Sequence, residues 1–377
     1  MASYNPFPIK GYESKELFCD REAEVQQLFS NVQNGIDTTL ISPRRMGKTG
    51  LILRFFDFLS EDKNIETVYV DIYASRSLSD FIKLLAEAIL LKFPEKTTIG
   101  ERFLHFIKGF RPLIGFDPLS GQPQIQLAYQ SIQEKEYTLQ GLLKFLDEQK
   151  IRIIIAIDEF QQIAEYPERN MEALLRTYIQ PLKNIRFIYC GSKKSMMVEM
   201  FSSAKSPFYA STQFLSLEKI DSDIYKAFIR QTLKDRKRII DNDALEQILL
   251  WSKGHTYYTQ SVCNTLFAFE ESHITMDVVR KACLDLLKRN EPVFLQYRQL
   301  LTKAQWNFLI AVAKEQTVTQ LTAQHFLASY GIGTPANSKR ISSSLAEKEL
   351  LLETTSSTET IWQVYDVFLS RWLEMEY

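Results

Sequence analysis

The chain has 377 residues and a net charge of −1, with 24% charged residues, so its composition gives no general electrostatic attraction to nucleic acid. This length predicts two or three domains, and no apolar run approaches the ~20 residues of a membrane span. The first ten residues lack the apolar core of a signal peptide, and four scattered cysteines without metal-ligand spacing favour a cytoplasmic protein with reduced thiols.

The first predicted elements surround a glycine-containing loop. Helical periodicity covers residues 21–34, and residues 38–42 predict a strand that leads into Pro43-Arg44-Arg45-Met46-Gly47-Lys48-Thr49-Gly50. A helix is predicted over residues 48–59. A strand, a tight loop and a helix in this order are typical of a phosphate-binding loop, although a surface turn before a helix would also explain Gly-Lys-Thr.

The residues of this loop have separate expected roles. Lys48 is expected to reach the β- and γ-phosphates, and the Thr49 hydroxyl is expected to bind Mg²⁺. Gly47 allows the backbone to approach the phosphates closely. Ser42 stands where the usual pattern has glycine, and serine lacks glycine's freedom at positive φ.

The next elements continue the alternation of strands and helices. Residues 67–72 predict a strand and residues 78–91 a helix. An insertion at about residues 94–137 contains a predicted β-hairpin at 112–127, whose turn signals are Pro118 and Gly121. The pattern is equally consistent with a hairpin that contacts a partner and with a surface flap that has no such role.

A second motif ends an apolar run. After a predicted helix at residues 139–149, the run Ile153–Ile157 is followed by Asp158 and Glu159, as expected for a parallel strand that is buried on both faces. Asp158 is the candidate Mg²⁺ ligand, and Glu159 is the candidate group that orients or deprotonates the attacking water. A buried strand that ends in solvated acids is the alternative.

Two further candidates lie beyond this strand. Residues 186–190 predict another strand, and Ser192 at its end could contact the γ-phosphate or the water, or could simply cap the next helix. Arg176 lies on a predicted helix at 171–178, where it could be an ordinary surface arginine. The order of elements predicts an α/β fold with a mostly parallel sheet and helices on both faces.

These motifs together resemble one protein family. The chain is similar to the prokaryotic P-loop ATPases of the AAA+/STAND superfamily, the archaeal-type ATPase family. The similar segments are residues 18–24, 43–49, 157–161, 190–192, 206–209 and 254–258. This resemblance implies an ATP-binding core, a helical lid and a C-terminal winged helix.

The resemblance also implies roles outside the loop. The N-terminal segment would pack over the base and ribose, which places Phe18 and Arg21 near the nucleotide. Asp20 stands where the family usually has glycine, and it could instead cap the first helix and leave Arg21 in solvent. AAA+ proteins often present an arginine from the region of Arg176 to a neighbouring subunit's nucleotide, so a nucleotide-dependent homo-oligomer is a candidate assembly.

Helical periodicity dominates residues 221–290, as expected for the lid. The segment Gly254-His255-Thr256-Tyr257-Tyr258 begins one of its helices. A helix N-terminus near the β-phosphate could sense nucleotide, with His255 as a direct ligand. A histidine in a helical bundle is also commonly a structural hydrogen-bonding group.

The last segment predicts a winged helix-turn-helix. Helices are expected at residues 305–314, 322–330 and 335–349, with wing strands at 350–354 and 360–365. Asn337, Ser338, Lys339, Arg340 and Ser343 of the third helix could meet DNA. However, residues 291–377 contain seven Lys or Arg and nine Asp or Glu, so a protein contact or an autoinhibitory cover is an alternative.

The predicted organisation has three domains. Residues 1–217 form the ATPase core, 218–297 the helical lid and 298–377 the winged helix-turn-helix. The predicted function is ATP binding with Mg²⁺-dependent hydrolysis that drives a conformational switch acting on a protein or nucleic-acid partner. The alternative is a nucleotide-gated DNA-binding or regulatory scaffold with little turnover.

Overall fold

The computed structural model describes residues 4–110, 113–119, 121–127, 129, 131–355 and 359–377. These residues form two compact units, Lys10–Lys219 and Ile220–Tyr377, and the N-terminal segment up to Ile9 belongs to the second. The segment up to Ile9, which the sequence predicts to be part of the core of residues 1–217, therefore groups with the second unit. The division of residues 218–377 into a lid and a winged helix stays a prediction.

The strands of the first unit form a parallel sheet and a separate antiparallel hairpin. The strands are β1 (Asp37–Ile41), β2 (Ile65–Asp71), β3 (Leu113–Phe116), β4 (Pro123–Gln126), β5 (Arg152–Asp158), β6 (Ile185–Gly191) and β7 (Thr212–Ser216). The parallel sheet has the order β2-β5-β6-β1-β7. Because all five strands run in one direction, their carboxyl ends lie at one edge.

Helices cover both faces of this sheet. They are α1 (Glu22–Gln33), α2 (Lys48–Leu59), α3 (Leu78–Lys92), α4 (Thr98–Lys108), α5 (Ile132–Asp147), α6 (Met171–Ile179) and α7 (Lys194–Ser202). Along β5, Ile153 and Ile155 pack in one core cluster, and Ile154 and Ala156 pack in the other. The apolar run is therefore buried on both faces, as the sequence indicates.

The insertion is part of the first unit and packs against α3. Strands β3 and β4 pair antiparallel, as predicted for the hairpin. Ile125 is fully buried, and its N–H donates a 2.8 Å hydrogen bond to Oε1 of Glu87 on α3. Pro112 and Ser120 of the predicted hairpin lie outside the described residues. Helix α4 is an element that the sequence patterns did not predict.

The second unit is mainly helical. It contains α8 (Ser222–Lys234), α9 (Asn242–Trp251), α10 (Thr256–Ala268), α11 (Met276–Leu300), α12 (Lys303–Glu315), α13 (Gln324–Ser329), α14 (Pro335–Glu347) and α15 (Val367–Glu376). Its strands are β8 (Ile239–Ile240), β9 (His273–Ile274), β10 (Leu351–Thr355) and β11 (Thr360–Val364). Helix α11 continues past residue 297, so the predicted lid boundary lies inside a helix.

Helices α12, α13 and α14, followed by the antiparallel pair β10–β11, have the order of a winged helix. Residues 356–358 of the predicted wing lie outside the described part. The C-terminal helix α15 was not predicted, and its Trp372 packs on Trp306 of α12 and Phe294 of α11. In the part of the chain that is described, no helix has the length and apolarity needed to cross a membrane.

Candidate functional site

A tight loop from Ser42 to Gly47 joins β1 to α2. Gly47 precedes α2 with a φ of 97°, in the left-handed region that favours glycine. Ser42 has no positive φ, so the loop does not need glycine at that position. The first N–H groups of a helix lack intrahelical acceptors, and the loop therefore ends at a positive helix terminus.

Lys48 is held inside this loop. Its side chain is buried, and Nζ donates to the carbonyl oxygens of Ser42 at 3.0 Å and Pro43 at 3.2 Å. Nζ also lies 3.4 Å from Oγ of Ser42. The ammonium therefore lies at the amino end of α2, where a bound anion would meet both the charge and the helix terminus.

The other loop residues differ in their environment. Pro43 and Arg44 are half-buried, Arg45 is exposed with a positive φ of 64°, and Met46 is buried. Nε of Arg44 lies 3.4 Å from Oγ of Ser192. Met46 thus anchors the loop to the core, and Arg44 faces the end of β6. Contact between these four residues and a nucleotide stays a prediction.

Asp158, at the end of β5, connects the two predicted motifs. Its Oδ2 accepts hydrogen bonds of 2.7 Å from Oγ1 of Thr49 and of 2.7 Å from the phenol of Tyr69. Its Oδ1 accepts from the N–H of Glu159 at 2.9 Å. The candidate Mg²⁺ ligands Thr49 and Asp158 are therefore adjacent, although they are 109 residues apart in sequence.

Tyr69 is a site residue that the sequence patterns did not indicate. It lies on β2, which pairs in parallel with β5 and places Tyr69 beside Ala156. Burial, together with the Asp158 carboxylate, raises the pKa of Tyr69. The phenol therefore stays protonated and donates a hydrogen bond to Asp158. The strand was predicted, but its neighbour in the sheet was not, and only that pairing brings Tyr69 to the site.

The end of β5 is an acidic environment. Asp71 pairs with Asp158 in the sheet, and burial with the nearby carboxylates of Asp158 and Glu159 raises the pKa of Asp71. Across the described ranges, no group of three or more His, Cys, Asp or Glu could hold a metal by itself. Thr49 and Asp158 instead suit Mg²⁺, which usually takes few protein oxygens and several from phosphates and water.

Two side chains hold the Glu159 carboxylate: Ser192, directly after β6, and Gln161, two residues after Glu159 in the chain. Its backbone has a positive φ of 56°, and its Oε2 accepts a 2.7 Å hydrogen bond from Oγ of Ser192. The amide of Gln161 also donates to Oε2. A left-handed conformation at a non-glycine residue is uncommon and often occurs at functional sites. Ser192 therefore contacts the candidate base Glu159 directly.

The N-terminal segment contributes Phe18 and Arg21. Phe18 lies against the start of α2, because a Cβ on Gly50 would be 3.2 Å from its Cε2 atom. Arg21 is buried, and its guanidinium pairs with Glu24 at 2.7 Å and donates to the carbonyl of Glu218 at 2.6 Å. Arg21 is therefore not a solvated residue. Both contacts of Arg21 are made within the chain, and its contact with a nucleotide stays a prediction.

Two further candidates, His255 and Arg176, lie on other elements of the fold. His255 precedes α10 in the second unit, where its ring lies 4.8 Å from that of Tyr258. Arg176 of α6 lines a cavity with Asp37 and Thr212, the first residues of β1 and β7. Because the loop follows the last residue of β1, Arg176 lies at the opposite edge of the sheet. Its action on a neighbouring subunit stays a prediction.

Comparison with known families agrees with this geometry. A family model described as "ATPase domain predominantly from Archaea" matches residues 18–262. The chain belongs to this family. A second model, a probable winged helix domain, matches residues 292–375. The archaeal-type ATPase domain therefore covers the loop and the acidic strand, and a winged helix domain follows it.

Solved structures share the fold of this archaeal-type ATPase. A Walker-type ATPase of Pyrococcus abyssi is 17% identical with a TM-score of 0.67, and the match covers 98% of this chain and 100% of that one. The ORC2 protein of Aeropyrum pernix, solved as ADPNP–ADP complexes, is 15% identical with a TM-score of 0.61 and coverages of 99% and 96%. The ORC1 protein of the same organism, solved in complex with DNA, is 13% identical with a TM-score of 0.52 and coverages of 95% and 93%. No curated protein matches the chain in sequence.

Proposed function

We propose that this archaeal-type ATPase binds ATP at the loop Ser42–Gly47 and hydrolyses it with Mg²⁺. The observation that carries the proposal is the 2.7 Å hydrogen bond from Thr49 to Asp158. It joins the helix after the loop to the end of the acidic strand, so the residues proposed to bind phosphate and those proposed to bind metal are adjacent. The family match supports the same reaction class.

Each residue has a distinct role in this proposal. The N–H groups at the start of α2 and the ammonium of Lys48 bind phosphate oxygens. Thr49 and Asp158 would hold Mg²⁺, which neutralises charge on the phosphates when it is bound. Tyr69 orients the Asp158 carboxylate through the hydrogen bond to its Oδ2.

Glu159 acts on the attacking water. In the reaction, the water oxygen bonds to the γ-phosphorus while the bond from that phosphorus to the bridging oxygen of ADP breaks. The Glu159 carboxylate orients the water and accepts its proton. Ser192 and Gln161 fix the carboxylate by donating hydrogen bonds to Oε2. Phe18, packed at the start of α2, offers an apolar face to the base.

We further propose that nucleotide turnover drives a conformational switch acting on a partner of the winged helix domain. Lys339, Arg340 and Ser343 of α14 are exposed, and ORC1 of Aeropyrum pernix has been solved with DNA, which supports DNA as the partner. The net acidic composition of residues 291–377 supports a protein partner instead. A salt titration of duplex DNA binding separates the two, because a DNA contact weakens steeply as salt rises.

ATP binding tests the nucleotide proposal. We expect the purified chain to bind ATP, and Lys48→Ala to weaken binding at least about tenfold because a buried, charge-assisted phosphate contact is lost. Isothermal titration calorimetry measures both affinities. Lys63→Ala, at an exposed lysine of the same unit, is the matched control and should bind normally. A wild-type chain that binds no ATP would contradict the proposal.

A further inference from the structure

A cavity of about 510 Å³ opens at the amino edge of the parallel sheet. Its lining includes Asp37, Ile185 and Thr212, the first residues of β1, β6 and β7. We call it the amino-edge cavity; residues 35–37, 210–213 and parts of 176–187 line it. It is separate from the proposed ATP site, because the loop Ser42–Gly47 follows the other end of β1.

Arg176 brings a charged group to this cavity. Its side chain on α6 is half-buried and lines the cavity. It has no hydrogen-bond or ion-pair partner for its guanidinium among the residues that the structure describes. Arginine stays charged in proteins and carries five N–H donors. The Arg176 donors are therefore available to a molecule in the cavity.

Arg186 provides a second guanidinium, which is fixed in place. Its Nη2 donates to the carbonyl of Lys183 at 3.2 Å, and its Nη1 donates to the carbonyl of Ile185. Gly35, with a φ of +73°, leaves room for it, because a Cβ there would lie 3.2 Å from Nη2. Its Nε is buried and has no acceptor in the described part of the chain.

Asp37 is the acidic group of the cavity, and it does not neutralise either arginine directly. Its carboxylate accepts a 2.9 Å hydrogen bond from the N–H of Phe187. Within the described ranges, neither guanidinium lies within the 4.0 Å of an ion pair with it. One fixed guanidinium (Arg186), one unpaired guanidinium (Arg176) and one separated carboxylate thus line a space large enough for a small molecule.

We propose that the amino-edge cavity binds an oxyanion, with Arg176 as its principal ligand and Arg186 as a positioned second cation. Charge-assisted hydrogen bonds from a guanidinium to an oxyanion are among the stronger polar contacts, and arginine suits planar or tetrahedral oxygen groups. The ligand chemistry is a phosphate-like or a carboxylate group. This proposal does not depend on ATP binding at the loop.

Sulfate binding tests the proposal in a chain whose anion binding at the ATP site is weakened. The full chain carrying Lys48→Ala is dialysed against radiolabelled sulfate at constant ionic strength. We expect one site per chain and a loss of affinity of about tenfold or more on adding Arg176→Gln. We expect no change on adding Arg169→Gln, at an exposed arginine that does not line the cavity. Competition by acetate or by phosphate then distinguishes the two ligand chemistries.

The pH dependence of the sulfate affinity is an independent test of binding in the amino-edge cavity. Burial raises the pKa of Asp37 to about 6, against the opposing charges of Arg186 and Arg176, while the buried Tyr189 on β6 stays neutral. Sulfate keeps its charge from pH 7.5 to 5.5, so its affinity should rise over this range as Asp37 becomes protonated. Asp37→Asn should tighten binding at pH 7.5 and abolish this rise.

Two results would overturn the proposal. One is sulfate binding that Arg176→Gln leaves unchanged, which would place the anion elsewhere. The other is the absence of any saturable site in the Lys48→Ala chain while circular dichroism shows it to be folded. Failure of ATP binding in the wild type would leave the sulfate result unaffected, so the two proposals fail separately.

Discussion

The phenol of Tyr69 donates a 2.7 Å hydrogen bond to Oδ2 of Asp158. The same oxygen accepts from Thr49 at 2.7 Å, so one carboxylate oxygen connects β2, β5 and the helix after the loop. The hydrogen bond from Tyr69 holds the Asp158 carboxylate in one orientation, which suits it to bind a metal ion. Tyr69 thus has a positioning role in the proposed ATP site.

We expect Tyr69→Phe to lower the Mg²⁺ affinity of the ATP complex about tenfold while ATP binding without Mg²⁺ stays unchanged, because outer hydrogen bonds orient metal-binding carboxylates. A Mg²⁺ titration followed by the fluorescence of a labelled ATP measures the effect. Tyr73→Phe removes a phenol that is 65% exposed nearby and serves as the control. Equal Mg²⁺ affinities in Tyr69→Phe and the wild type would argue against the role.

Ser192→Ala should lower the rate of ATP hydrolysis more than the affinity for ATP. The hydroxyl of Ser192 fixes the Glu159 carboxylate at 2.7 Å, and a free carboxylate orients water less well. We expect kcat to fall about 10- to 100-fold, which is less than the full contribution of a general base, because Glu159 itself remains. Steady-state turnover and equilibrium binding measure the two effects. Ser195→Ala, at an exposed serine on α7, should change neither quantity.

Gly191→Ala should destabilise the first unit. A Cβ at this position would lie 2.5 Å from Oε1 of Gln161 and 2.6 Å from Cγ of Met197. We expect a loss of about 1–3 kcal/mol in the free energy of unfolding, the usual cost of overpacking. Chemical denaturation measures it. Gly115→Ala is the control, because a Cβ there meets no atom of the described residues within 4 Å. Equal losses in the two variants would contradict the packing account.

Asp37 makes stability depend on pH. Burial raises its pKa from 3.8 to about 6, so between these values the folded chain keeps a proton that the unfolded chain has lost. The contribution of Asp37 to the free energy of unfolding therefore falls as pH rises from about 4 to about 6.

We expect Asp37→Asn to be more stable than the wild type by about 3 kcal/mol at pH 7.5 and to differ little at pH 4. The asparagine oxygen can still accept from the N–H of Phe187. Denaturation curves at the two pH values measure the change, and Asp62→Asn at an exposed aspartate is the control. A variant that is less stable at pH 7.5 would show that the charge of Asp37 is needed.

Much of the first unit was predictable because its signals are local. Helix α2 begins at Lys48 and ends at Leu59 as predicted, since the glycine before it and its apolar periodicity define both ends. The strand ending at Asp158 followed from its unbroken apolar run. Strand β7 was not predicted, because it lies at the sheet edge with mostly exposed or half-buried residues and so has no apolar run.

The site was only partly predictable for a related reason. Loop motifs name Lys48 and Thr49 from sequence alone, but the role of Tyr69 depends on which strand pairs with β5. The buried contacts of Arg21 likewise need Glu218, which is distant in the chain. Contacts between distant segments follow from topology, and local periodicity does not specify them.

Mg²⁺-dependent ATP turnover by the wild type and by Glu159→Gln tests the central claim most directly. The account predicts that the wild type releases phosphate from ATP only with Mg²⁺. It also predicts that Glu159→Gln binds ATP with similar affinity but turns over at least about 100-fold more slowly, because the amide cannot accept the proton of water. A wild type that binds ATP without releasing phosphate, or a Glu159→Gln variant with wild-type turnover, would contradict hydrolysis at this site.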